Sequence, residues 1–536
     1  MTVRIGSLAR GGEHAGSAAT PVLVSPRHRV LTLIALCGTS FLLSFDTSLH
    51  SIAVPTLLQQ LGRPEFLHRT QWIPRVYLLA FIAMLVIGGM LIDRLGAKRV
   101  LIGGYLLYLG GLLAHIPLSF TQIPLGLTRV TMGIGVAAAI PASLTILVAM
   151  TQPGPERARV VTLWGGFCGA GVTIIPLISG VFLNGARLGQ VAAAVWLIGT
   201  ILLIMVVLFV PPVASEPVEM SPTAWPATLT AATASGLAAF ALIMAPKWGW
   251  TTPSVAGPMA AAAVLWCSAA IIRCGGSLPH DCLIRAGWCV RMAMFGLTAA
   301  TVALSGIVFL VVQYLQAVRS GPPVVAGAIV FLPSCGAAVL GARWGRAVRT
   351  RYSVGATLTV GLTAILDGLA IGLTAGAGGE LAPIVMMVTA ASIGFGMVAS
   401  AALYVLSVAM PSSGLGMAWA APISVVQLGG LLGLAVVGSF VDRGYHDRLL
   451  VPSVVVSADG AVVGNDSLGK GLAVAASVGT HTGTRLADAV RSAFLTGYRH
   501  GLFTTMGIIA TAIVAVLVSY ALTRRSIEHG RVGHTR

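Results

Sequence analysis

The chain has 536 residues, of which 56% are hydrophobic and 9% charged, with a mean hydropathy of +0.91. A soluble domain carries roughly 25% charged residues, so the composition excludes an ordinary soluble protein. The formal charge of +17 would suggest a nucleic-acid partner in a soluble chain; here the basic residues sit in short loops between apolar runs, where they set membrane orientation, and no nucleic acid is expected.

A membrane crossing needs about 20 apolar residues. Fourteen runs qualify as helices, at 31–57, 72–92, 100–118, 122–149, 159–183, 190–211, 224–245, 253–272, 289–316, 323–348, 354–376, 382–410, 414–439 and 497–523. The expected fold class is an all-α polytopic membrane protein. Residues 1–29 read as a disordered basic tail, and no cleavable signal peptide is evident. The first apolar helix carries one acid, Asp46, and a histidine one turn later, His50. The two share a helix face, and an acid at this depth is costly unless it works. A pair of this kind can take up and release a proton.

The second helix ends in the turn Asp93-Arg94-Leu95-Gly96-Ala97-Lys98-Arg99. This basic turn marks a cytoplasmic loop, and the distribution of Lys and Arg puts both termini in the cytoplasm. Arg129 lies inside the fourth helix, where an arginine needs a partner or a wet cavity. In the fifth helix Gly171, Pro176 and Gly180 form a candidate hinge, because small residues allow close packing and proline allows a kink.

Residues 211–226 are Pro-rich and polar, a natural break between halves. The expected domains are a six-helix bundle over 30–211, a linker with two inserted helices over 212–273, a second six-helix bundle over 274–523, and a cytoplasmic tail over 524–536. Cys274, His280, Cys282 and Cys289 fall near one another, but their spacing fits no zinc pattern, so neither a metal nor another cofactor is expected. The turn Gly341-Ala342-Arg343-Trp344-Gly345-Arg346 echoes the 93–99 turn, as a parallel repeat would. Asp367 is the other isolated intramembrane acid and a candidate for cation recognition; Gln313, Tyr314, Gln316 and Gln427 are candidate cavity residues. Trp72, Trp248 and Trp250 suit an interfacial belt. Residues 440–496 read as a long extracytoplasmic loop with a hairpin around Val454–Val463. No Walker loop, HExxH or GxSxG occurs, which argues against ATP-driven transport and hydrolase chemistry.

Taken together, these motifs resemble the fourteen-helix drug:proton antiporters of the major facilitator superfamily, from about residue 41 to 523. The match rests on Asp46, Ala53 and Pro55; on Gly89, Leu91, Asp93, Arg94, Gly96, Lys98 and Arg99; and on Arg129, Gly133 and Gly135. It continues in Trp248-Gly249-Trp250, Tyr314-Leu315-Gln316, Gln427-Leu428-Gly429-Gly430 and Gly438-Ser439. The chain departs from the antiporter pattern at Ile175-Pro176 and Ser179-Gly180, and Val426 stands where an arginine is usual. The resemblance implies alternating access between two six-helix bundles, with Asp93 and its basic neighbours as an inner gate. The function it implies is proton-coupled export of an amphipathic, lipophilic or cationic compound across the plasma (inner) membrane. Asp46, His50 and Arg129 would couple protons. The alternatives are export of an endogenous lipid or secondary metabolite and, remotely, a non-transporting sensor or scaffold. The expected partners are protons, a small amphipathic substrate or lipid, and the membrane; a periplasmic or cell-wall adaptor is not identifiable from the sequence.

Overall fold

A computed structural model of the chain describes residues 26–60, 72–118, 122–152, 154–174, 188–212, 223–274, 288–318, 323–376, 378–409, 414–448 and 480–532. These residues form fourteen helices: α1 Pro26–Gln60, α2 Trp72–Leu95, α3 Ala97–Leu118, α4 Gln122–Ala149, α5 Pro155–Thr173, α6 Leu188–Phe209, α7 Ala224–Trp248, α8 Pro253–Cys274, α9 Trp288–Ala317, α10 Pro323–Arg351, α11 Val354–Gly372, α12 Ala382–Ala409, α13 Leu415–Arg448 and α14 Thr480–Val532. Twelve of them are long and apolar enough to cross a membrane. The described parts of α5 and α10 fall short because they hold Glu156, Arg157 and Arg159, and Arg343, Arg346, Arg349 and Arg351.

Most of these helices are apolar all round, which suits burial in lipid rather than at a water surface. What differs between them is how much of each faces its neighbours. Helix α4 is enclosed, whereas α6 presents Leu197, Ile198, Ile201, Ile204 and Leu208 outward as a lipid-facing rim. Consecutive helices run in opposite directions. The start of α1 lies beside α5 and α6, through Arg29 with Glu156 and Thr32 with the Phe209 carbonyl. That end, which holds the 93–99 turn, is the basic end of the bundle.

The two halves repeat one packing scheme. In the first, α4 packs on both α2 and α3; in the second, α12 packs on both α10 and α11. Glycines carry the close approaches. A Cβ on Gly104 would meet the Gly135 carbonyl at 2.7 Å, and one on Gly361 would meet the Gly394 carbonyl at 2.8 Å, so backbones touch at equivalent places in each half. The halves join where α2 packs on α13 and where α5 packs on α10 and α12. The inserted pair α7 and α8 lies beside the first of these seams, because α7 contacts both α2 and α13.

Several boundaries differ from the sequence reading: α1 begins at Pro26, inside the expected 1–29 tail, and α14 continues to Val532, through most of the expected 524–536 tail. Helix extends through 440–448 at the end of α13 and from 480 at the start of α14, so the expected long loop is shorter. There Gly444 and Gly497 pack backbone to backbone, which lets two helix ends pair where apolar periodicity has already faded. The described α5 ends at Thr173, and the hairpin around Val454–Val463 lies outside the described residues, as do His280 and Cys282.

Candidate functional site

The glycine-marked turn between α2 and α3 builds the main feature of the basic end. Gly96 has φ +91°, a left-handed conformation that glycine adopts without cost. The turn fixes Asp93 one residue pair from the end of α2, with its side chain directed at the first turn of α13. There the Gly416 amide donates to Asp93 Oδ1 at 2.6 Å and the Met417 amide donates to Oδ2 at 2.9 Å. The first amides of a helix lack internal partners and carry the positive end of the helix dipole. Asp93, buried at the seam, satisfies two of them at once.

The approach is close enough for this because no side chain intervenes. A Cβ on Gly89 would lie 2.5 Å from Ala420 Cβ and 2.9 Å from the Gly416 carbonyl. The other charges of the turn do different work. Arg94 lies over the Trp225 ring of α7 at 5.7 Å, Lys98 donates to the Val207 carbonyl of α6 at 3.0 Å, and Arg99 is exposed. The second contact between halves is at the same end, where Leu403 Cδ1 of α12 lies 3.2 Å from a Cβ built on Gly165 of α5.

Arg129 is 1% exposed, in the core of the first half. Its depth follows from two contacts. Tyr105 of α3 donates to Thr39 of α1 at 2.9 Å, and Gly111, six residues further along α3, faces the Thr128 carbonyl of α4. Six residues along α1 from Thr39 is Phe45, so each helix has climbed about 9 Å. The backbone of α1 next to Asp46 is therefore level with Arg129. The side chains of Asp46 and His50 lie outside the described residues, as does that of Gln316; Pro176 and Gly180 are outside them altogether. Gly171 meets α1 directly, since its Cβ would fall on the Phe41 carbonyl and lie 3.1 Å from Ser44 Cβ.

The proposed cavity residues do not converge. The Tyr314 hydroxyl donates to the Gly376 carbonyl at 2.7 Å, and its ring stands 5.6 Å from Tyr498. It therefore pins the turn after α11 inside the second half. Asp367 shares the exposed arc of α11 with Val360, Thr363 and Ala370, while Gly361 and Gly368 on another side pack on α12. That arc faces away from the half's own core, and among the described residues the main packing partners of α11 are α9, α10, α12 and α14, all of the second half. Gln313 and Gln427 are half-buried on two parallel helices, with Thr298 beside Gly429 and Gly306 beside Val437. By that register they sit about 25 Å apart in depth.

Sequence reasoning missed the partner of Asp93. The signal was the glycine pair Gly414 and Gly416 flanking a helix start. It also assigned Trp250 to an interfacial belt, whereas the indole donates to Ser439 of α13 at 2.9 Å and ties the insert to the second half.

The family model described as Major Facilitator Superfamily matches residues 36–434. The multidrug efflux pump LfrA of Mycolicibacterium smegmatis is 23% identical over 506 residues, covering 93% of this chain and 95% of that protein. The tetracenomycin C resistance and export protein of Streptomyces glaucescens is 27% identical over 517 residues, covering 93% and 92%. Among solved structures, the human organic anion transporter MFSD10 aligns with TM-score 0.58 at 12% identity, over 92% of this chain and all of that one. An inward-facing, unoccupied bacterial homologue of the lysosomal transporter Spinster aligns with TM-score 0.54 at 15% identity, over 92% and 98%. At these identities the structural likeness speaks for the fold alone.

Proposed function

This chain belongs to the Major Facilitator Superfamily, a family of membrane transporters rather than enzymes, and we propose that it exports small amphipathic compounds in exchange for protons. The observation that carries the reading is the clasp of Asp93 on the first turn of α13. A hydrogen bond to a charged group contributes about 1.5–3 kcal/mol, enough to hold two rigid halves together at one end and weak enough to be released in a cycle. Such a contact, made across the seam and confined to the basic end, suits a gate that closes one side of a transporter while the other side opens.

The basic end faces the cytoplasm of the plasma (inner) membrane, and both termini lie there; the exposed Arg94, Arg99, Arg343, Arg346 and Arg351 support this. The direction is outward, supported by the efflux and export proteins among the relatives. Asp46 is the coupling acid. Arg129, buried in the core of the first half at the depth of the α1 backbone next to Asp46, serves the same coupling step, since an arginine at that depth needs a partner or a wet cavity. His50, on the same face one turn on, relays the proton.

The test is proton flux in proteoliposomes under an imposed pH gradient, with a panel of lipophilic cations and with Asp46→Asn for comparison. Substrate-triggered proton release that vanishes in the variant is expected. Full proton-driven transport by Asp46→Asn at normal expression overturns the coupling role. A second reading, export of an endogenous secondary metabolite, is favoured by the relative named for tetracenomycin C export; it gains if no added cation moves protons while a metabolite does.

A further inference from the structure

The two halves obey one packing scheme, yet one seat in that scheme is filled in the first half and bare in the second. Helix α2 packs on α4, α13, α3 and α1, and α10 makes the equivalent contacts with α12, α5, α11 and α9. In addition, α2 carries α7 on its outer face: Gly236 sits against Ala83, Trp225 under Arg94, and Val86, Met90, Ala231, Ala269 and Met417 form one apolar cluster. Among the described residues no helix packs on α10 in that way.

The bare face has a defined chemistry. Gly336, Val339, Leu340, Arg343, Trp344, Arg346, Ala347 and Arg351 are all exposed, at spacings that place them on one arc of α10. The apolar and small residues lie toward mid-membrane. The arginines lie toward the basic end, with Trp344, 53% exposed, between Arg343 and Arg346. Arg349, beside them, donates to the Ser400 carbonyl at 3.2 Å and lies 4.1 Å over the Tyr404 ring. Where the first turn carries Asp93, the repeat carries Gly345, packed against Met397 and Ser400, so the second half has four arginines in nine residues without the acid. Among the described residues none of the four forms a salt bridge.

We propose that this face binds an anionic phospholipid of the cytoplasmic leaflet, with its phosphate on Arg343 and Arg346, Trp344 beside the headgroup between them, and its acyl chains over Gly336, Val339 and Leu340. Charge and polarity both select this occupant. A second apolar helix would bury the arginines without countercharge, whereas a phosphate pairs with guanidinium groups at the headgroup level. The lipid fills in the second half the seat that α7 fills in the first.

The experiment is native mass spectrometry and thermal melting of the full chain in detergent, with tetraoleoyl cardiolipin or dioleoyl phosphatidylcholine as the probe. The wild type should retain cardiolipin in preference to phosphatidylcholine and melt higher in its presence, while inorganic phosphate leaves the melting temperature unchanged. The Arg343→Gln/Arg346→Gln variant should bind cardiolipin about thirtyfold more weakly, yet melt like the wild type without lipid. Ala347→Trp, which fills the face without changing its charge, should lose the adduct as well. Arg291→Gln, altering an exposed basic-end arginine on α9, should keep it. Equal retention of cardiolipin by the double variant, equal retention of phosphatidylcholine by the wild type, or an equal loss in Arg291→Gln would overturn the proposal. So would a lipid-free dimer broken by Ala347→Trp, which would seat a second copy on the face.

Discussion

Asp93 combines burial with two amide donors from the other half of the molecule, and this sets what its loss does. In Asp93→Asn the side chain keeps one acceptor and loses its charge, so it can satisfy one amide and no longer answers the helix dipole. The state joined at the basic end should lose about 2 kcal/mol, a shift of about thirtyfold in its equilibrium with the state open at that end. Spin labels on either side of the α2–α13 seam would read this as a longer distance population; an unchanged distribution would remove Asp93 from the gate. Gly96 offers a contrast. Nothing lies within 4 Å of a Cβ placed there, but its φ is +91°. Gly96→Ala should therefore cost about 1 kcal/mol through backbone strain alone, lowering the melting temperature while leaving the seam distances alone.

Among the helices, close packing depends on a few glycine pairs. Gly104 with Gly135 and Gly361 with Gly394 bring backbones together in each half, and a larger residue at any of them must push a helix outward. Gly361→Leu should destabilise the second half by about 1–3 kcal/mol, whereas Gly103→Leu, where a Cβ has open space, should be tolerated. Thermal melting in detergent compares the two, and equal losses would deny that glycine pairs set the packing. The all-helical fold was legible in the sequence because a crossing needs about twenty apolar residues whatever surrounds them, and twelve of the fourteen described helices meet that need. The tight turn at 93–99 was legible too, since Asp93 and Gly96 fall within one short segment. The face each helix presents was not. Asp367 reads as a buried functional acid from its apolar neighbours, but only the packing of α11 on α12 and α14 fixes which arc is left over. Tyr314 likewise reads as a cavity residue until the Gly376 carbonyl appears beside its hydroxyl.

Across the whole molecule, the described contacts between the halves that involve Asp93, Gly89 and Gly165 all lie at the basic end. A transporter that alternates must break these contacts to open there, so a covalent link across them should arrest it without unfolding it. Gly165 and Leu403 suit the purpose because α5 and α12 come from different halves and approach closely without charge. In a background with the seven native cysteines replaced, Gly165→Cys/Leu403→Cys should cross-link with a short bifunctional thiol reagent. Substrate flux in proteoliposomes should then fall to background, and reductive cleavage of a disulfide-bearing reagent should restore it. The single variants, treated in the same way, should retain flux. Full flux in the linked protein would mean that the halves do not separate at this end during turnover. The clasp at Asp93 would then be a permanent joint between two fixed bundles, and the inserted helices beside it would be part of the same static wall.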